Sequence, residues 1–250
     1  MKLIDDYFDR ACEAMDQIRK TQGDSIQRAA ELMASVIEKD GVVYVFGSGG
    51  HSNIGAEEMF WRAGGLAAIS AILDPGINLA FGAQRSSLIE RTPGYAKAVL
   101  DSYGLKPGDV LILVNAYGIN SLTIDTALEC RERGVKVIGI TSAASSDPVP
   151  PDHAARHPSK KNLHDLVDVH VDTQVPFGDA VIGVEGCPQK VGPLSTILNA
   201  FAINCIVIAT VELLARRGYE PPVWRSGNIP GGIEAGRKLI EKYAPKVRLL

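Results

Sequence analysis

The chain has 250 residues, 46% of them hydrophobic and 22% charged, a balance that supports a large packed core and excludes a disordered or collagen-like protein. Its net charge of −3, from 26 basic and 29 acidic residues with the two signs interspersed, lacks the basic stripe of a nucleic-acid binder. One α/β unit with terminal helices accounts for the length.

The acidic start Met1-Lys2-Leu3-Ile4-Asp5-Asp6 has no basic n-region or apolar h-region, which predicts a cytoplasmic protein. Two helical patterns follow, Leu3 to Lys20 and Ser25 to Lys39, parted at Gln22-Gly23-Asp24. The β-branched run Val42 to Phe46 then predicts a strand, a Gly-rich turn, and a helix from Ser52 to Arg62. A weaker strand (Ala67 to Leu73) and a helix (Ser87 to Tyr103) lead to a second strand-turn-helix unit. That unit comprises Val110 to Val114, the turn at Asn115 to Gly118 and a helix from Asn120 to Arg133, with a strand from Val135 to Thr141 behind it. Ser142 to His164 reads as a long irregular, basic loop carrying His153, Arg156, His157, Lys160 and Lys161. A last strand, Val167 to Val171, precedes a Gly/Pro-rich run at 176–193, an uncharged helix and a C-terminal helix from Ile233 to Tyr243. The uncharged stretch Val191 to Val211 is long enough to span a bilayer. Its Ser195, Thr196, Asn199, Asn204 and Thr210 point instead to a buried helix, and no membrane partner is expected. The four cysteines, far apart, read as reduced thiols.

Apolar strands alternating with helices predict a doubly wound parallel sheet of five strands, with ligands beyond the strands' carboxyl ends. The chemistry is therefore sought in the turns at 47–52 and 115–121. In the first, Gly47-Ser48-Gly49-Gly50-His51-Ser52 offers close backbone approach and hydroxyls ahead of a helix, an anion cradle. The rival is a dinucleotide loop, with Gly47-x-Gly49 after a strand and Asp74 at the end of the next. That fingerprint fails at its third glycine, where Ser52 stands, so no cofactor is expected.

The order strand, GSGGHS, helix with Glu57-Glu58, strand, turn with Gly118 and Ser121, helix, and the strand VIGITS resembles the SIS (sugar isomerase) family. The runs AEEMFWRAGG (56–65), SSLIERTPGYA (86–96), ARHPSKKNLHDLVDVHVD (155–172) and GPLSTILNA (192–200) are similar to stand-alone SIS proteins described as sugar isomerases or phosphosugar-binding proteins. The resemblance covers nearly the whole chain. It implies a flavodoxin-like strand order, with a helical lead-in at 1–40, the SIS domain at 41–218 and a C-terminal tail and helix at 219–250.

The resemblance also implies an aldose–ketose isomerase of an anionic sugar, most simply a sugar phosphate. Glu58 is then the enediol base, with Glu57 as the neighbouring candidate, and His157 assists ring opening, with reach from a second subunit in a homodimer or higher homo-oligomer. Gly47, Ser48, Gly49, His51, Ser52, Asn115, Tyr117, Ser121, Ser159, Lys161 and Glu90 are the expected ligand contacts. Asn115 and Tyr117 stand where SIS domains commonly carry serines. That difference opens the alternative of a sulfonated sugar. The metal-binding branch has a histidine four residues before its glutamate; here Ile54 stands there, so no metal is expected. A non-catalytic sugar-anion sensor remains the second functional class.

Overall fold

The structure, a computed structural model, describes residues 2–250. Strands β1 (Val43–Gly47), β2 (Ile69–Ile72), β3 (Val110–Val114), β4 (Lys136–Thr141) and β5 (Val169–Asp172) form one parallel sheet in the order β2-β1-β3-β4-β5. This is the flavodoxin-like order. Registers run Val43 to Ile69, Tyr44 to Leu111, Val110 to Lys136 and Ile138 to Val169.

Period-two alternation divides the core into two layers. Val43, Val45, Val110, Ile112, Val114, Ile138 and Ile140 face helices α2 (Gly23–Ile37), α3 (Asn53–Met59) and α8 (Ser195–Arg216). Phe46, Leu111, Leu113 and Val137 face α5 (Tyr95–Tyr103) and α6 (Ser121–Arg133) on the other side. Gly139 is required on that second face, since a Cβ there would lie 2.9 Å from Val167. Helix α1 (Lys2–Thr21) packs on α8 rather than on the sheet, burying Ala11 and Ile18 with Leu198. The C-terminal helix α9 (Gly232–Tyr243) and the segment after it close the first layer with Tyr243 and Val247.

Several predicted elements are redrawn. The single helix from Ser87 to Tyr103 is two, α4 (Ala83–Glu90) and α5, because Pro93 removes a donor and Gly94 is left-handed at φ +85°. The helix from Ser52 ends at Met59, since Phe60 turns extended and Trp61 takes φ +52°. The irregular segment after Ser142 contains a short helix, α7 (Ala143–Ser146), and the run 176–193 folds back as a hairpin of β6 (Ala180–Ile182) and β7 (Val191–Pro193). Both were hidden by shortness, for neither spans enough residues to show a period. Among the described residues α8 alone is long and apolar enough to cross a membrane, and it packs across α2 and α3 as a core helix.

Candidate active site

In this parallel sheet the order in which strands are added reverses between β1 and β3, and the loops leaving their carboxyl ends frame a crevice. A cavity of about 210 Å³ lies there, bounded by Gly49 to Ser52, by Asn115 to Tyr117 with Asn120, and by the start of α8. It is smaller than the ~300–1,000 Å³ typical of drug-sized ligands. Its size suits a small molecule.

The first loop is built by crowding. A Cβ on Gly47 would lie 2.0 Å from the Ser52 carbonyl oxygen, and one on Gly49 would lie 3.0 Å from Glu90 Oε2 and 3.1 Å from Asn115 Nδ2. Ser48 is fully buried, its hydroxyl 2.7 Å from Thr123 Oγ1, and its carbonyl accepts from Asn115 Nδ2 at 3.2 Å. Ser48 therefore ties the two loops together from below and does not line the cavity. Asn115 spends its other end on the Gly118 amide, 2.8 Å from Oδ1, which shapes the second turn. Tyr117 accepts from the Gly178 amide at 3.0 Å and meets Phe177 edge-on. Ser121 is buried in the first turn of α6 and also lies outside the lining. The hydroxyl cradle expected from Ser48, Ser52 and Ser121 thus keeps only Ser52 at the cavity.

Glu90 is the acid the fold brings in. It ends α4, and its carboxyl faces Gly49, opposite Asn115. Burial raises its pKa above the ordinary glutamate range, opposed in part by the Arg91 charge and the Gly50 amide. Asn199, on the first turns of α8 and only 6% exposed, carries a buried Oδ1 with no hydrogen-bond partner among the described residues. An orphaned acceptor costs about 1–3 kcal/mol, and Asn199 borders the cavity. Among the described residues no lysine or arginine lines this space.

Asp179, unforeseen in the sequence, completes the wall. It holds φ +65°; Oδ1 accepts from the Leu194 and Ser195 amides at 2.9 and 2.7 Å, and Oδ2 accepts from the Ser195 hydroxyl at 2.7 Å. The carboxylate caps α8 from a hairpin that begins well upstream in the chain, a separation at which no local spacing announces a cap. Ser195, Thr196 and Asn199 were legible as polar residues of a buried helix and as part of the run GPLSTILNA, not as site residues.

The other expected residues sit elsewhere. Glu58 accepts from Asn204 Nδ2 at 2.9 Å and pairs with Arg62 at 3.0 Å, on the α8 side of α3. Glu57 accepts from Asn53 at 2.8 Å. His157 is clamped between Asp125 (3.0 Å from Nε2) and Ser159 (2.8 Å from Nδ1), and the Lys161 amide reaches back to Ser159. None of Glu57, Glu58, His157, Ser159 and Lys161 lines the cavity, while Gly49, His51, Ser52, Glu90, Asn115 and Tyr117 do.

Comparison with known proteins agrees with the resemblance read from the motifs. Residues 6–142 match the family model of the SIS domain. A UPF0309 protein of Caldanaerobacter subterraneus subsp. tengcongensis is 38% identical over 251 residues, spanning 99% of this chain and 100% of that one. A phosphoheptose isomerase from Francisella tularensis superposes with a TM-score of 0.54 at 18% identity, covering 84% of this chain and 96% of its own. A phosphoheptose isomerase from Neisseria gonorrhoeae superposes equally well, at 0.54 and 19% identity, covering 84% and 97%. At these identities the structural likenesses speak for the fold.

Proposed function

The chain belongs to the SIS domain family, and from that premise we propose that it binds an anionic sugar in the Glu90 cavity and interconverts its aldose and ketose forms. The observation that carries this reading is a glutamate desolvated beside an open, hydroxyl-lined space. Phosphosugar isomerases among the structural neighbours support the substrate class.

In this reading the Glu90 carboxylate takes the proton from C2 of the open-chain sugar while the C1 carbonyl oxygen takes a proton from solvent water, leaving a neutral enediol. Glu90 then returns its proton to C1 as the C2 hydroxyl gives its own to solvent and becomes the carbonyl. Burial that raises the carboxyl's pKa makes the carboxylate a stronger base for the first transfer. Ser52, Ser195, Thr196 and Asn199, which line this space, orient the sugar's hydroxyls. Glu58 and His157, to which the resemblance assigns base and ring-opening roles, are engaged away from this space, so within one chain the geometry favours Glu90. A second reading, a sugar sensor without turnover, draws support from Ser48, Asn115 and Tyr117, whose polar groups are spent inside the chain.

Exchange of the sugar's C2 proton with deuterated solvent separates these. Glu90→Gln is expected to bind as wild type but exchange about 10²–10⁴-fold more slowly. Exchange at the wild-type rate in Glu90→Gln, with loss in Glu58→Gln, would move the base to Glu58. Wild type that binds and never exchanges is a sensor.

A further inference from the structure

Glu90, Tyr117 and Asn120 line a second cavity as well as the first. The neighbour is the larger, about 390 Å³ against about 210 Å³. Its walls are also of another kind, formed by Ile119, Val149, Pro150, Ala155 and Phe177, with Arg91 and His153 at its exposed side.

These walls are held open by the chain itself. The Arg156 guanidinium donates to the carbonyls of Ser146 (2.8 Å), Val149 (2.9 Å) and Pro150 (3.1 Å) and to Asn162 Oδ1 (2.7 Å), which pins the Val149-Pro150 stretch in place. Asn120 Nδ2 donates to the Ala155 carbonyl at 3.0 Å, joining this stretch to the wall of the first cavity. On the opposite side the Gly178 amide on Tyr117 holds Phe177, which stays 60% exposed. A pinned, mostly apolar space beside a polar one holds water poorly, and apolar surface entering it gains the hydrophobic free energy. A phosphate dianion there would lie against apolar walls with only Arg91 and His153 to pair with, at a desolvation cost.

We propose that the substrate is a sugar derivative bearing an apolar substituent, its polyol end against Glu90 and the substituent seated between Ile119, Val149, Pro150 and Phe177. Because isomerisation needs C1 and C2 free, the substituent is on a later carbon. The inference rests on the Glu90 cavity being the sugar site, and the test keeps the two apart.

Calorimetry with glucose 6-phosphate and its 3-O-methyl, 3-O-propyl and 3-O-pentyl ethers reads the second cavity through the length series. Affinity is expected to climb with chain length, about fourfold per methylene buried. Ala155→Phe, which fills the space, is expected to flatten the series and leave glucose 6-phosphate affinity unchanged. Phe177→Ala, at an exposed position that does not threaten folding, is expected to reduce the slope. A flat or falling series in wild type, with glucose 6-phosphate still bound, overturns the substituent proposal and leaves the sugar site standing. A slope that survives both variants overturns the location. Absence of binding by every member overturns the sugar site and the substituent together.

Discussion

Replacing Asp179 tests how the first cavity's wall is held, because this one carboxylate accepts three hydrogen bonds at the head of α8. An N-cap is worth about 0.5–2 kcal/mol, and hydrogen bonds to a charged acceptor exceed neutral ones. Removing all three together is therefore expected to cost about 2–3 kcal/mol. The backbone adds a second component, since position 179 sits at φ +65°, where a Cβ costs roughly 1–2 kcal/mol that aspartate already bears in part and glycine does not. Asp179→Asn keeps one acceptor and tolerates the left-handed region. Asp179→Gly loses the cap but relieves the strain, and Asp179→Ala loses the cap while keeping a Cβ there. Urea unfolding should therefore place the alanine variant lowest, about 2–3 kcal/mol below wild type, with the asparagine and glycine variants above it. For a chain of this size, where each kcal/mol moves the midpoint about 2–4 °C, that corresponds to roughly 4–12 °C in thermal melts. An alanine variant as stable as wild type, or a glycine variant worse than alanine, would refute the capping argument.

The remaining predictions concern charge, turn and face. Burial raises the Glu90 pKa in the folded state, so the folded form keeps its proton where the unfolded chain has lost it. Stability then falls as pH rises from the ordinary glutamate value, ~4.3, through the raised one. Glu90→Gln should be more stable than wild type at neutral pH, the difference vanishing in acid; equal urea midpoints at neutral pH would contradict this. Gly118→Ala, at φ +60° with its Cβ 2.6 Å from Thr141 Oγ1, should cost about 2–4 kcal/mol. Gly104→Ala, at φ +68° with nothing within 4 Å, should cost only about 1 kcal/mol, and equal losses would show that the clash is relieved. On α8, Ile208 is 67% exposed and Ile197 is exposed with it, so light scattering should find a homo-oligomer that Ile208→Lys dissociates. A monomeric wild type at micromolar concentration would refute that assembly.

The five strands are legible in the chain because each is a short β-branched run ended by glycine or polar residues, and burial on both faces makes such runs nearly continuous. The loops at 47–52 and 115–121 are legible for the same reason, as they must follow strand ends. The SIS resemblance is carried by these same punctuated units. The break at Pro93-Gly94 is also written in the chain, although the apolar pattern on either side conceals it. The cavity's lining is legible only in part: Gly49, His51, Ser52, Glu90, Asn115 and Tyr117 are among the expected contacts and line it, but their places in it depend on the tertiary fold. Glu90 reaches it only because α4 ends beside Gly49, Asp179 because a hairpin folds it onto α8, and Asn199 because the first turns of α8 arrive at the β1–β3 crevice. Ser48 and Glu58 show the converse. Their residue types and positions suit ligand chemistry, yet packing gives the Ser48 hydroxyl to Thr123 and the Glu58 carboxylate to Arg62 and Asn204. Local spacing determines which groups a turn presents; which of them stay unpaired depends on partners far along the chain, and the tertiary structure alone decides that.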